Sequence, residues 1–505
     1  MVQMDRFIDI EYSVSSATRN VAVNFRMVAY MLGLLIAVET LLLSISTIVA
    51  LAYGDGDFVP FIISTGICAA ISGTLLLIGR SATKPRRRET CIVVASAWLT
   101  FSLIGMLPFL LGGYIPSVVD AFFETMSGFT TTGATILDNI DSMPHGILFW
   151  RSLTQWIGGL GIAFFTIALM PGFGIGGKLL FLSEATGVTH ANIHPKAGTM
   201  SRYLWSVYIV LTIATAFLLW LEGMNIFDAT CHSLTATATG GFSTKQASIA
   251  YWHSPLIEYT LITAMLVSSI SFSLYFFAFK YRFKHLLRDE EVRFFLGSVF
   301  VVTIVIAAAL VVCNGYGIEQ AFRSALFQVT SCHTTTGFAT DDYLSFPAFT
   351  WILIIYTMFA GGCTGSTAGG IKIMRLVIMW RGFKNQFHQI IRPRSVQTIK
   401  INGHIFDNQL ISTVFVFFFS FMLFVLGGWI AMMACGLPCV EAISTTISAL
   451  GNVGPALGQY GPEFSWAAMP AAAKVILAML MLIGRLEIFG FIIALHPATW
   501  RTSWS

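Results

Sequence analysis

Residues 120–135 read DAFFETMSGFTTTGAT, and three later stretches repeat the pattern: DATCHSLTATATGGFS at 228–243, SALFQVTSCHTTTGFAT at 324–340 and EAISTTISALGNVGPAL at 441–457. Aligned on Gly133, Gly241, Gly337 and Gly454, the four share two further columns. Thirteen residues upstream stand Asp120, Asp228, Ser324 and Glu441, each followed by alanine; six residues upstream stand Ser127, Thr235, Ser331 and Ser448. Chance matching of Thr/Gly strings would not keep three columns in register. Asp, Ser and Glu are read as N-caps, so each stretch is expected to open with a short helix of about two to three turns. Its C-terminal end, the negative end of the helix dipole, would point inward and favour a cation.

Working outward, each stretch lies between long apolar runs. The 505 residues are 56% hydrophobic and only 11% charged, with a mean hydropathy of +0.76, against about 25% charged in soluble proteins. Ten runs approach the roughly 20 residues that a helix needs to cross a hydrocarbon core: Val28 to Tyr53, Phe58 to Ile78, Cys91 to Leu111, Ile147 to Met170, Leu204 to Trp220, Ile257 to Phe279, Phe294 to Val312, Phe349 to Trp380, Leu410 to Met433 and Ala471 to Leu495. The expected fold is an all-α polytopic membrane protein. Its ten transmembrane helices would comprise four pore-loop repeats (span, pore loop, span) around a pseudo-fourfold central pore, plus an N-terminal helix pair. The segments are 1–89 for the N-terminal segment and extra pair, then 90–172, 201–280, 293–381 and 406–505 for the repeats. The first run follows a mixed-charge stretch (Asp5, Arg6, Asp9, Glu11, Arg19, Arg26) and is too long for a signal-peptide core, so it is expected to be retained.

The basic residues fall on alternate connections: Arg80, Lys84, Arg86, Arg87 and Arg88; Lys178, Lys196 and Arg202; Lys280, Arg282, Lys284, Arg288 and Arg293; Arg381, Lys384, Arg392, Arg394 and Lys400. The positive-inside rule makes that side cytoplasmic, with both termini there. The net charge of +4 is thus topology rather than a nucleic-acid surface, although Arg392 to Lys400 could touch a cytosolic partner. The eight cysteines are scattered. Only Cys435 and Cys439 lie close together, and two unlinked thiols are the simpler reading.

After each short helix come Thr131-Thr132-Gly133, Thr239-Gly240-Gly241, Thr335-Thr336-Gly337 and Asn452-Val453-Gly454. Extended backbone at membrane depth is tolerated only where it is buried in protein or lines a cavity, and glycine allows successive carbonyls to turn to one side. Four such strands around an axis would make a filter whose carbonyls replace the hydration shell of a potassium ion, the transported substrate, without fixed carboxylates. Span eight contains Gly361, Gly362, Gly365, Ser366, Gly369 and Gly370. Gly361, Gly365 and Gly369 suit a small-residue helix seam, but five glycines cost roughly 1 kcal/mol each in a helix interior. A broken helix serving as a mobile gate is the reading adopted, and the break is assigned to the third repeat alone. Arg485 lies too deep in its span to snorkel and should face the pore; Lys372, which follows the glycine break, reads equally as its companion or as a snorkelling lysine near the cytoplasmic side. Glu39 and Glu487, the intramembrane acids taken as candidates for coupling, suit helix-to-helix hydrogen bonds as well as function.

The strings SGFTTTGAT, ATGGFST, CHTTTGF and GNVGP, with GGCTGSTAGGIKIMR and LIGRLE, resemble the TrkH, TrkG and KtrB superfamily of potassium-uptake proteins over essentially the whole chain. The N-terminal span pair is more similar to the TrkH and TrkG branch. The resemblance implies potassium at the four filter strands, gating by residues 361–370, and Arg485 as the basic residue below the filter. It also implies a homodimer with one pore per subunit in a prokaryotic inner membrane, surrounded by lipid, and a cytosolic nucleotide- and NAD-binding regulatory partner of the TrkA kind. No nucleotide motif occurs in the chain itself and no cofactor is expected. Two other readings are weighed. A sodium- or proton-coupled symporter would use Glu39 or Glu487. A membrane-embedded hydrolase would use Ser366 or His333, neither of which has an evident base or orienting partner in sequence.

Overall fold

The computed structural model describes residues 23–80, 87–161, 197–275, 284–393 and 398–500. Helices α1 (Phe25–Tyr53) and α2 (Phe58–Ile78) form an antiparallel pair. Lipid offers no hydrophobic drive for helices to associate, so close packing and hydrogen bonds do the work. A Cβ on Gly33 would lie 3.0 Å from the Leu76 nitrogen, and Ser72 Oγ donates to the Gly33 carbonyl at 2.8 Å. Along α1, Met27, Met31, Leu35, Val38 and Leu42 are buried at three- and four-residue spacing, while Leu41, Ile45 and Ile48 are exposed. One face packs inward and the other is left for lipid.

Four units follow, each with an approach helix, a short helix, a non-helical strand and a return helix. They are α3 (Arg87–Gly105), α4 (Val118–Phe129) and α5 (His145–Leu160); α6 (Ala197–Leu221), α7 (Ile226–Thr237) and α8 (Pro255–Ser268); α9 (Glu290–Asn314), α10 (Ile318–His333) and α11 (Ala348–Ala360); α13 (Asn408–Ala434), α14 (Cys439–Gly451) and α15 (Ala471–Arg485). Helix α12 (Ile373–Ile391) continues span eight past a non-helical segment, and α16 (Phe489–Leu495) follows α15 at an angle of 109°. Between α12 and α13, strands β1 (Lys400–Ile401) and β2 (His404–Ile405) make a hairpin. Its turn, Asn402-Gly403, has φ of 51° and 80°, as the type I′ turn requires.

The chain is a mostly helical, multi-pass membrane protein. Among the described residues six helices are long and apolar enough to cross a membrane, or seven if α15 and α16 count as one bent span. The difference from ten lies in the return helices, all of which stop short. Helix α5 ends before Gly161 (φ 80°), α8 before Ser269, α11 before Gly361 (φ 71°), and α15 before Leu486, with Glu487 and Ile488 at φ 50° and 59°. Among the described residues helix resumes after the breaks that follow Ser268, Ala360 and Arg485, so the break expected in the third repeat alone has counterparts in the second and fourth. The end of span four (162–170), the end of span six (276–279) and the basic residues Lys84, Arg86, Lys178, Lys196, Lys280, Arg282 and Arg394 lie outside the described residues, as do Asp5, Arg6, Asp9, Glu11 and Arg19.

The acidic column is also placed differently from the reading as caps. Ser117 and Asn225 cap α4 and α7, accepting from Asp120 N at 3.4 Å and Asp228 N at 2.7 Å. Asp120, Asp228 and Glu441 therefore sit in the first turn, where a carboxylate still complements the helix dipole. Helix α10 begins earlier, after Gly317, which leaves Ser324 in its interior. Cys435 and Cys439 are unbridged thiols.

Candidate functional site

The short helices end in one shared conformation. Thr131, Thr239, Thr335 and Asn452 have φ of 54°, 53°, 55° and 54°. The next residue donates back to the Ser/Thr column: Thr132 N to Ser127 O (2.9 Å), Gly240 N to Thr235 O (2.9 Å), Thr336 N to Ser331 O (2.8 Å) and Val453 N to Ser448 O (2.9 Å). This is the 6→1 bond of a Schellman motif, but with threonine or asparagine where glycine is usual. A β-branched residue held there costs of order 1–3 kcal/mol.

The following glycines bring the four strands together. A Cβ on Gly133 would strike the carbonyl oxygen of Gly240, one on Gly241 that of Thr336, one on Gly337 that of Val453, and one on Gly454 would stand 2.6 Å from that of Thr132. Each glycine thus faces the residue preceding the glycine of the next repeat, and the fourth returns to the first. Thr336 O is also 3.7 Å from a Cβ on Gly133, so the ring is narrow. The glycines have φ between 79° and 106°, which side chains other than glycine's rarely adopt. Among the described residues no hydrogen bond reaches the carbonyl oxygens of Thr132, Thr336 or Val453, whereas Gly240 O accepts from Gln155 Nε2 at 2.6 Å. A cavity opens over the glycines, with Thr135, Lys245 and Glu463 among its lining.

Residues behind the ring fix the strands, and the sequence reading missed them. Glu124, nine residues before Gly133, accepts from Thr135 Oγ1 (2.9 Å), Ile136 N (2.9 Å) and Arg151 Nε (2.8 Å). Arg151 also donates to Ser243 O at 3.1 Å and stacks on Phe242 at 4.2 Å. The equivalent positions carry His232, paired with Ser243 Oγ at 2.9 Å, and Gln328, donating to Asp341 O at 2.6 Å. In the fourth repeat the equivalent Thr445 bonds back to Glu441 O at 2.7 Å, and it is the neighbouring Ser444 whose Oγ accepts from the strand, from Leu457 N at 3.1 Å. The signal available was an acid within the first short helix and an arginine within the apolar run that follows it.

Residues 361–372 fold under the ring rather than along a helix. Gly369 N donates to Thr335 Oγ1 at 2.7 Å and Gly370 N to Gly451 O at 3.0 Å, while Thr367 Oγ1 reaches Thr237 O at 3.2 Å. The segment doubles back where a Cβ on Gly361 would meet Gly369 O, and one on Gly369 would meet Gly451 O. Gly362 faces Ser269, Gly365 O accepts from Phe272 N at 3.1 Å, and Ser366 Oγ donates to Cys363 O at 2.6 Å.

Arg485 closes α15 and donates to Gly159 O at 2.9 Å and to Gly158 O, at the carbonyl end of α5, and to Thr367 O at 3.2 Å. Helix-end carbonyls without intrahelical partners are a natural seat for a guanidinium. Lys372 is buried, with φ 79°, and its Nζ donates to Ala368 O at 2.7 Å; it does not snorkel. Glu487 is ion-paired with Arg375. Among the described residues the buried Glu39 has no hydrogen-bond partner for either carboxyl oxygen, contrary to the helix-to-helix bond considered for it. His333 pairs with Ser298 Oγ at 2.7 Å, not with Ser366, so no nucleophile–base pair forms between the two.

The chain matches the profile of the TrkH family, described as cation transport protein, over residues 60–500. It is 35% identical over 482 residues to the Trk system potassium uptake protein TrkH of Halomonas elongata, covering 95% of this chain and 100% of that one. The Escherichia coli protein of the same description is 35% identical over 483 residues with the same coverage. The Trk system potassium uptake protein TrkG of Escherichia coli is 32% identical over 481 residues, covering 94% and 99%. The crystal structure of the potassium transporter TrkH from Vibrio parahaemolyticus superposes with a TM-score of 0.85 at 33% identity, over 95% of this chain and 100% of that chain.

Proposed function

The chain belongs to the TrkH family of cation transport proteins, and on that premise we propose that it is the pore subunit of a potassium-uptake system, a transporter rather than an enzyme. The observation that carries the reading is the closed cycle of glycine-to-carbonyl contacts from Gly133 through Gly241 and Gly337 to Gly454. In this reading ten spans, counting each interrupted return helix with its continuation, surround a pseudo-fourfold pore. Thr131 to Gly133, Thr239 to Gly241, Thr335 to Gly337 and Asn452 to Gly454 form the filter. A dehydrated potassium ion needs a shell of oxygens already in place; the carbonyls of Thr132, Thr336 and Val453, which accept no hydrogen bond among the described residues, and that of Gly240, held by Gln155, supply one without reorganisation. Residues 361–370 are the gate, with Lys372 and Arg485 as the basic residues beneath the filter.

The basic connections face the cytoplasm in a prokaryotic inner membrane, with both termini on that side and the exposed apolar faces in lipid. The subunit works as a homodimer with a TrkA-like cytosolic partner. Coupled transport with protons or sodium is kept as a second reading on one observation, the unpartnered Glu39 carboxyl. Flux through purified protein in liposomes separates the two. Potassium uptake that follows membrane potential supports the channel; uptake that follows an imposed proton or sodium gradient at zero potential overturns it in favour of the symporter. Equal potassium and sodium flux would remove the filter assignment.

A further inference from the structure

Three consecutive acids open α9, and each faces a different structure. Asp289 caps the helix, accepting from Glu291 N at 2.9 Å and Val292 N at 3.2 Å, and its second oxygen accepts from Asn402 Nδ2 at 2.7 Å. Glu290 exchanges two bonds with the hairpin turn: its N donates to Asn402 Oδ1 and its Oε1 accepts from Asn402 N, both at 2.9 Å. It is also paired with Arg381 of α12. Glu291 points the other way. Its buried Oε1 accepts from Thr364 N at 2.6 Å, within the glycine segment, and from Met374 N at 3.2 Å, in the first turn of α12 just after it.

We propose that Glu291 is the positioning residue that holds the 361–372 segment under the ring, and that the Asn402 turn, seated on the two preceding acids, is the handle by which the basic end of the protein sets it. One backbone amide of the segment and one of the helix that follows it converge on a single carboxylate oxygen, beside the bonds from Thr367, Gly369 and Gly370 already described. Backbone N–H groups buried away from water need an acceptor, so the segment stays in place while that oxygen does. Asp289, Glu290 and Glu291 share the first helical turn. A displacement of the hairpin therefore moves the acceptor without having to deform α9. The root of the hairpin is anchored as well, with Ile399 and Ile401 buried and Phe406 N donating to Ile399 O at 2.9 Å. The inference rests on the reading of the segment as the gate only for its effect on ion flow.

Cys363, buried within the segment, reports its position directly. Alkylation by N-ethylmaleimide is followed on the purified full-length protein, with the Cys363 peptide quantified by mass spectrometry, alongside potassium flux in liposomes. Glu291→Gln keeps an acceptor oxygen and should stay within about twofold of the parent rate, whereas Glu291→Ala should speed Cys363 alkylation by about tenfold, since local opening sets the reactivity of a buried thiol. Asn402→Ala, remote from the segment, should speed it by about threefold. A parent rate in Glu291→Ala overturns the positioning role, and a parent rate in Asn402→Ala overturns the handle. Faster alkylation with unchanged flux supports the positioning role and overturns the gate assignment instead. If Glu291→Ala cannot be purified folded, Glu291→Asp, which draws the acceptor oxygen back by one methylene, replaces it, and a parent rate there overturns the positioning role.

Discussion

Arg151 Nε stands 2.8 Å from Glu124 Oε1 with both side chains sealed from solvent, and the pair reaches the strands beyond two of the four glycines through Thr135 and Ser243. Arg151→Ala would leave a buried carboxylate without its partner, a loss of about 3–5 kcal/mol. Arg151→Lys keeps the charge but not the fork that holds two acceptors at once. The alanine variant should show a strongly lowered midpoint of thermal unfolding. The lysine variant should fold, with a reduced ratio of potassium to sodium flux. An unchanged ratio in the lysine variant would make the pair a scaffold element only.

Gly133→Ser places a Cβ against Gly240 O at a φ of 84°, so the neighbouring strand must shift. The expected outcome is retained folding and ion flux with weakened discrimination between potassium and sodium, measured as permeability ratios in liposomes. Unchanged selectivity would count against assigning the glycine ring as the filter.

Arg485→Ala removes the guanidinium that ties Gly159 O and Thr367 O. Hydrogen bonds to a charged donor are worth about 1.5–3 kcal/mol, enough to change the population of a two-position segment by tenfold or so. Potassium flux should change by about that factor; a silent variant would demote Arg485 to packing.

Asp55 supplies a pH test at the turn between α1 and α2. The His145 backbone N–H at 2.9 Å and its ring Nδ1 at 2.6 Å hold the Asp55 carboxyl below its ordinary value. A depressed carboxyl stabilises the folded state fully above its unfolded value, about 3.9, and the contribution is lost as pH falls through the lower folded value. Asp55→Asn should therefore unfold at lower temperature than the parent at neutral pH, with the gap closing below about pH 4. A gap that persists unchanged at lower pH would assign the effect to shape rather than charge.

Much of this architecture could be read from the chain because it is written as repetition. The glycine and Ser/Thr columns aligned in sequence recur as matched dihedral angles and matched backbone bonds from Thr132, Gly240, Thr336 and Val453. The caps were misread because the capping residues Ser117 and Asn225 lie just outside the repeated strings, and the acids three residues later are equally at home in a first turn. The interruptions after Ser268 and Arg485 carry no glycine, so nothing local marked them. The Glu124 to Arg151 and Glu291 to Thr364 pairs join residues far apart in the chain, and composition gives no means of matching partners across such distances. The Asn402-Gly403 turn carried a hairpin signal, overlooked in a chain whose other elements are apolar helices.

Gly454 meets Thr132 across more than three hundred residues of intervening chain. A chain that enters the bilayer repeat by repeat must therefore hold its first strand beside an empty place until the fourth repeat has been made. Contacts this distant in sequence form late. Shortened forms lacking the fourth repeat should leave that strand without its neighbour and expose it to quality-control proteases.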